Sequence, residues 1–338
     1  MKNYLLCCDW GTSSFRLRLI EIADYKLLGE IVTLEGIASI FNAWQTSLVS
    51  GNIGRDQFFR EYLKTQIDIL ATRLSFDMDG IAIVISGMAS SSIGMEEIPY
   101  SPLPYPTDGS QADIRSFEAP DDFQHEIILI SGVKSETDVM RGEETQLVGL
   151  LDLEELYAFR NKEAIFIFPG THSKHMYVKE NQLVNFQTFM TGEVFNIMTN
   201  FSILKDSVEN RKENKLTTYE VAAFKKGIGQ AGYSNLLNSL FKVRTNQLFD
   251  KMSKSENACY LSGLLIGNEL KHLKEYKSNK LILCSGNNLY ELYKLAVEEL
   301  GLSDRTTTIS ADLINKATIA GQIKIYQNQT LKLNNTNS

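Results

Sequence analysis

The chain has 338 residues, 43% hydrophobic and 22% charged, an ordinary globular composition long enough for a sizeable core and two domains. Its net charge of −7 and pI near 5.3 leave no basic surplus to neutralise phosphates, which argues against nucleic-acid binding. No run approaches the roughly 20 apolar residues that span a bilayer, so no membrane partner is expected, and the apolar stretch of MKNYLLCC stops at Asp9, too early for a secretory leader.

In chain order, strands are predicted over roughly 4–9, 14–23 and 27–34. Tyr4 to Cys8 form a short apolar run suited to the middle of a sheet, whereas Phe15, Leu17 and Leu19 alternate with Arg16 and Arg18. Asp9 to Ser14 is therefore a hairpin tip, in which Gly11 would make the turn and Asp9 would cap it if nothing else were asked of them. A helix follows over 56–74, with Phe58, Phe59, Tyr62, Leu63, Ile67 and Leu70 forming a core-facing stripe at helical spacing. GIAIVISGM reads as a buried strand ending at Gly87. The long loop after it holds Pro99, Pro102, Pro104 and Pro106, and its length and stiffness suit either a substrate loop or a passive connection.

EIILISGV is a further buried strand, and SETDVMRGEETQLVGLLDLEEL begins with turn chemistry and becomes helical. EAIFIFPGTHSKHMYVKENQLVNFQTFMT reads as strand, turn, strand, turn, strand, and its FIFPGTHSKHMYV repeats the design of the opening hairpin. Beyond 193 the periodicity is mostly helical, interrupted by the strand KLILCSG, which enters a helix through a Gly-Asn turn. DLINKATIAGQIKIYQ is a last helix, and the polar tail NQTLKLNNTNS is expected to fray. Cys7, Cys8, Cys259 and Cys284 sit in apolar runs without C-x-x-C spacing, as reduced core residues of a cytoplasmic protein would. His172 and His175 would face opposite sides of a strand with no cysteine nearby, which makes zinc an unsuitable reading.

The chain has neither a Walker A loop nor a G-x-G-x-x-G after a strand. Two hairpin tips hold a nucleotide differently, donating backbone N–H groups and hydroxyls to a polyphosphate, with glycine at each tip so that oxygen can approach the backbone. An acid at one tip can hold Mg²⁺, usually through water. DWGTSS and PGTHSK supply these parts, and Arg16 and Lys174 could add positive charge.

DWGTSSFRLRL, FPGTHSKHMYV and LILCSGNNLYELYKLAVEELG resemble, in order, the phosphate-1, phosphate-2 and adenosine motifs of the actin/hexokinase/Hsp70-like ATPases. More narrowly, SGMASSSIG, VMRGEETQLVG, PGTHSKH, TFMTGE and YLSGLLIGNE are similar to the 2-keto-3-deoxygalactonokinase family over nearly the whole chain. The resemblance implies an α/β fold of two RNase H-like domains flanking an inter-domain cleft. The domains are expected over 1–135 and 136–311, with 312–338 packing back on the first. It implies ATP and Mg²⁺ as cofactors, and a kinase for the terminal hydroxyl of a 2-keto-3-deoxy sugar acid, 2-dehydro-3-deoxy-galactonate first. A non-catalytic ATP-gated regulator, a phosphatase on the same scaffold and a kinase for another sugar acid are the alternatives. A homodimer is compatible with the chain.

By the same resemblance, Asp9 is the Mg²⁺-side acid, with Gly11, Thr12, Ser13 and Arg16 around the phosphates. Gly170, Thr171 and Lys174 match phosphate-2, and Gly286 and Asn287 match the adenosine motif. Glu143 follows Gly142 as the catalytic base follows glycine in sugar kinases, with Glu144 and Asp138 in reserve. Arg141, Ser90, Ser91 and Glu193 are candidates for the sugar acid. His175 and Met95 stand where the family pattern has aromatics.

Overall fold

The computed structural model describes residues 3–48, 53–119, 123–153, 156, 159, 162–209, 216–233 and 235–336. The chain groups into two compact units, unit 1 over 1–162, 179–185 and 312–338 and unit 2 over 163–178 and 186–311. Residues 136–162 thus stay with unit 1, whereas the sequence reading set a boundary near 135.

Unit 1 opens with an antiparallel meander of β1 (Tyr4–Trp10), β2 (Phe15–Glu21) and β3 (Lys26–Thr33). Helices α1 (Ile37–Ser47) and α2 (Arg55–Leu74) follow, then β4 (Ile83–Gly87), which pairs parallel with β1. The proline-rich segment carries the short strands β5 (Ser101–Pro102), β6 (Tyr105–Pro106) and β7 (Ile114–Phe117). After it come β8 (Ile127–Ile130), β9 (Val133–Lys134), β10 (Val139–Met140) and helix α3 (Glu143–Asp152). The main sheet has the order β3-β2-β1-β4-β8-β7, and β10-β9-β5 form a small second sheet.

Strand β1 is covered on both faces, which is why it reads as an unbroken apolar run. Leu6, Cys8 and Trp10 enter a core closed by Phe59, Leu63, Ile67 and Leu70 of α2. Trp10 stacks on Tyr62 and meets Phe15 edge-on, with ring centroids 5.5 and 5.0 Å away. Helix α1 was absent from the sequence reading, although Ile37, Ile40, Phe41 and Trp44 carry a helical stripe.

Unit 2 repeats the plan. Strands β11 (Ala164–Phe168), β12 (Ser173–Lys179) and β13 (Gln182–Phe189) come first, followed by helices α4 (Thr191–Asn200), α5 (Thr218–Tyr233), α6 (Leu236–Leu248) and α7 (Lys254–Leu270). Then come β14 (Lys280–Cys284), α8 (Asn287–Glu299) and β15 (Thr306–Ile309). The order β15-β14-β11-β12-β13 matches β8-β4-β1-β2-β3, and in both units the first strand pairs antiparallel with the second and parallel with the fourth. Each unit is therefore RNase H-like. The turn between β12 and β13 is the left-handed pair Glu180 and Asn181, and the 179–185 tip joins unit 1 through β6. Helix α7 starts on a capping box formed by Ser253 and Glu256.

The last helix, α9 (Ala311–Thr336), belongs with unit 1, and it extends through most of the tail expected to fray. Gln322 on α9 donates its side-chain amide to the Cys8 carbonyl and to Ser86. Helices α3 and α9 cross almost backbone to backbone, because a Cβ on Gly149 would lie 1.8 Å from the Ala317 carbonyl oxygen. That seam fixes where the first turn of α3 sits. No helix among the described residues is long and apolar enough to cross a membrane.

Candidate functional site

In unit 1, Asp9 lies near the end of β1, opposite Arg16 on β2 and Ser86 on β4. Burial pushes its carboxyl above the usual range, and the cations Arg18 and Arg16 pull only partly against that. Arg16 reaches α9, donating from Nη1 to Asn315 Oδ1 at 3.4 Å, while its buried Nε has no acceptor among the described residues. The tip itself is held by Gly11 N donating to the Ser14 carbonyl at 2.9 Å, and it leaves Thr12 and Ser13 exposed. The start of α1 buttresses it: Ile37 and Ala38 donate to the Gly11 and Thr12 carbonyls at 2.9 and 3.1 Å. Gly36 makes this approach feasible, since a Cβ there would lie 2.3 Å from the Thr12 oxygen.

The next pair beyond Asp9 and Ser86 is Trp10 and Gly87, and Gly87 adjoins Gly142, the N-cap of α3. Gly142 has φ +106°, a conformation that L side chains rarely adopt, so glycine is required for the chain to turn from β10 into α3 here. Glu143, the first residue of α3, is half-buried. Glu144 is different. Its buried carboxylate accepts from Gly142 N at 2.7 and 3.0 Å and from the Thr145 hydroxyl at 2.9 Å. Burial, then the adjacent Glu143 charge, push it up to about 7. Asp138 sits across β10 in the turn with Ser135, up to roughly 17 Å of chain from Glu143.

Arg141 is brought onto the SGMASSS turn. It donates to Ser90 Oγ at 2.7 Å and to the Ile98 carbonyl at 2.9 Å, and its guanidinium lies 3.9 Å from the Tyr100 ring centroid. Ser90 is fully buried, and Ser91 donates to the Met88 carbonyl at 2.7 Å. Their hydroxyls therefore shape the turn and hold Arg141.

In unit 2 the turn between β11 and β12 carries Gly170 and an exposed Thr171. Helix α4 packs directly on it, with Glu193 N donating to the Thr171 carbonyl at 3.0 Å and its carboxylate 2.5 Å from His172 Nε2. Lys174 points inward, 5% exposed, with Nζ 3.4 Å from the His172 carbonyl. Beside the turn is a mainly apolar cavity of about 310 Å³, lined among others by Gly170, Thr191, Gly192, Leu289, Leu292 and Tyr293. Gly286 caps α8 with open space around it, and the Asn287 side chain lies outside the described residues.

A family model for 2-keto-3-deoxy-galactonokinase matches residues 9–325. The chain belongs to the 2-keto-3-deoxy-galactonokinase family. A Rhizobium meliloti (strain 1021) protein named probable 2-dehydro-3-deoxygalactonokinase is 30% identical over 90% of this chain and 92% of its own length. The 2-dehydro-3-deoxygalactonokinase of Escherichia coli (strain K12) is 27% identical over 70% of this chain and 76% of its own. A solved structure from Sinorhizobium meliloti, provisionally given the same enzyme name, superposes with a TM-score of 0.73 at 29% identity, covering 94% of this chain and 95% of that one.

Three residues around the sites of this 2-keto-3-deoxy-galactonokinase family member escaped the sequence reading. Gly36, Glu269 and Tyr293 sit far along the chain from the turns they support, so no local pattern marks them. Glu269 alone had a signal, as an acid ending an otherwise apolar helical run.

Proposed function

We propose that the chain transfers the γ-phosphoryl group of ATP to the terminal (6-) hydroxyl of 2-dehydro-3-deoxy-galactonate, a step of galactonate catabolism. The observation that carries this reading is a contrast between two sets of glycines. Gly36, Gly87 and Gly192 are demanded by the fold, because a Cβ at each would meet backbone atoms within 2.8 Å. Gly11, Gly170 and Gly286 are not: their nearest such contacts are 3.7 Å, 4.0 Å and none within 4 Å, and none has a left-handed φ. Glycine at those three turns, unlike the equally open Gly229 and Gly232 within α5, leaves a loop backbone accessible to a group from outside the chain. They are the three turns of the phosphate-1, phosphate-2 and adenosine motifs.

Both ATP and Mg²⁺ fit the residues present. In unit 2, the amides and hydroxyl at Gly170 and Thr171 would hold phosphate oxygens, and the cavity beside Leu289, Leu292 and Tyr293 would take the purine. In unit 1, Asp9 would hold Mg²⁺ through water, which relieves the cost of its burial. Bound Mg²⁺ and ATP supply the phosphoryl group and neutralise its charge. Glu143 accepts the hydroxyl proton as the new O–P bond forms. Glu144 is committed to Gly142 and Thr145, and Asp138 lies across β10, so neither competes for that role. Arg141, preset by Ser90 and Ile98, has further N–H groups for the sugar-acid carboxylate. The cytoplasm suits a kinase drawing on ATP, and none of the four buried thiols is in a disulfide.

The test is ATP turnover with and without 2-dehydro-3-deoxy-galactonate, alongside a panel of related 2-keto-3-deoxy acids. Glu143→Gln should lose about 10²- to 10⁴-fold in kcat while still binding ATP. Turnover indifferent to every sugar acid, or an undiminished Glu143→Gln rate, would refute the proposal.

A further inference from the structure

We propose that Glu269 is a positioning residue that sets the phosphate-2 turn of unit 2 from both sides, and through it the affinity for ATP. Glu269 lies in the last turn of α7 and is 2% exposed. A carboxylate is poorly placed there on general grounds, because the helix C-terminus is the negative end and the surroundings exclude water. It is met by donors from three separate elements. Thr191 at the start of α4 donates at 2.5 Å, Tyr293 of α8 at 2.7 Å, and His175 Nε2 of β12 lies at 3.1 Å. Both hydroxyls donate to Oε2 while His175 Nε2 faces Oε1, so glutamine keeps one acceptor oxygen where the carboxylate has two.

Each of these contacts leads to the turn. Thr191 precedes Gly192, which packs so closely that a Cβ would sit 2.6 Å from the Gly170 oxygen and 2.8 Å from Thr171 Cα. Tyr293 shares its hydroxyl with Ser173 Oγ at 3.1 Å, and Gly170 N donates to that same Ser173 oxygen at 3.3 Å. His175 anchors β12 two residues further on, its ring clustered with those of Phe189 and His272. The outer side of the turn is thus tied to Glu269 through Thr191, and its base through Tyr293 and Ser173. Thr191 and Tyr293 also line the cavity, whereas Glu269 does not, so Glu269 acts only through them.

The inference rests on the turn receiving the phosphates of ATP, and the experiment separates the two. Steady-state kinetics are measured for Glu269→Gln and Thr171→Val with ATP and with 2-dehydro-3-deoxy-galactonate varied in turn. Glu269→Gln should raise the KM for ATP about tenfold, with kcat at saturating ATP and the sugar-acid KM within about twofold of the parent. An unchanged ATP KM, or equal rises in both KM values, overturns the positioning role. An unchanged ATP KM in Thr171→Val overturns the phosphate-2 reading instead. Should Glu269→Gln fail to fold, Tyr293→Phe decides, since it keeps the ring and removes only the shared hydroxyl. Calorimetry with a non-hydrolysable ATP analogue should then show weaker binding, and an unaltered Kd refutes the inference.

Discussion

Glu144 should make unit 1 less stable as pH rises, and replacing it by glutamine should remove that dependence. Its carboxyl is raised from 4.5 to about 7, first by burial and then by the Glu143 charge, while hydrogen bonds from the Glu144 and Gly142 backbone and from Thr145 pull the other way. Below pH 4.5 the group is protonated whether the chain is folded or unfolded, and it costs nothing. Between 4.5 and about 7 the unfolded chain ionises first and is favoured, so stability falls until pH passes the folded value. At roughly 1.4 kcal/mol per pH unit the full loss is about 3 kcal/mol, of which about 2.5 kcal/mol falls between pH 5 and 8. Urea unfolding of the parent and of Glu144→Gln, followed by tryptophan fluorescence at pH 5, 6, 7 and 8, measures it. Both tryptophans, Trp10 and Trp44, lie in unit 1 and report on the unit that holds Glu144. The stability gap between the two proteins should shift by about 2.5 kcal/mol in favour of the glutamine variant across that range. A gap constant to within about 0.5 kcal/mol would refute the assignment of burial as the dominant cause.

Two further substitutions probe the turns. Gly192→Ala should force α4 away from Gly170 and Thr171, because both clashing neighbours are backbone and neither can rotate aside. The expected cost is about 1–3 kcal/mol of stability together with an ATP KM raised at least about tenfold, read by thermal unfolding and kinetics. An unaltered ATP KM would mean that α4 does not hold the turn. Arg141→Lys keeps the charge but loses the paired contacts to Ser90 and Ile98 and the stacking on Tyr100. It should raise the sugar-acid KM about 10- to 100-fold with the ATP KM within about twofold, and an unchanged sugar-acid KM would remove Arg141 from the substrate site.

The paired hairpins could be read in the sequence because each combines two local signals, strand alternation and a Gly-Thr tip, that survive without knowledge of distant neighbours. Helix α1 was missed because its apolar stripe sits in a short segment between a strand and a glycine turn, where helix and loop readings compete. Strand β15 was missed because Thr306, Thr307 and Thr308 lack an apolar run, and its pairing comes from β14. The tail read as frayed because it is polar, whereas α9 begins against β1, β4 and α3 and carries those residues on as helix.

Among the candidate bases, the resemblance put Glu143 first with Glu144 and Asp138 in reserve, and residue type by itself does not separate them. Adjacent acids in a first helical turn have the same local chemistry. The tertiary structure separates them by what it puts around each: Glu144 is turned inward onto Gly142 N and Thr145, Glu143 is half-buried beside Gly142, and Asp138 lies across β10. Ser90 and Ser91 show the same limit, since the sequence presents a hydroxyl-rich turn and only the structure gives those hydroxyls their partners, Arg141 and the Met88 carbonyl. The sequence by itself determined the two hairpins with their Gly-Thr tips, because period and turn chemistry are properties of neighbouring residues, and its ordered motifs carried the resemblance that implied the two-domain fold. Only the tertiary structure decided that Glu144 is held by Gly142 and Thr145 and that the distant groups Gly36, Glu269 and Tyr293 brace the turns, because burial and hydrogen-bond partnership arise between residues far apart in the chain.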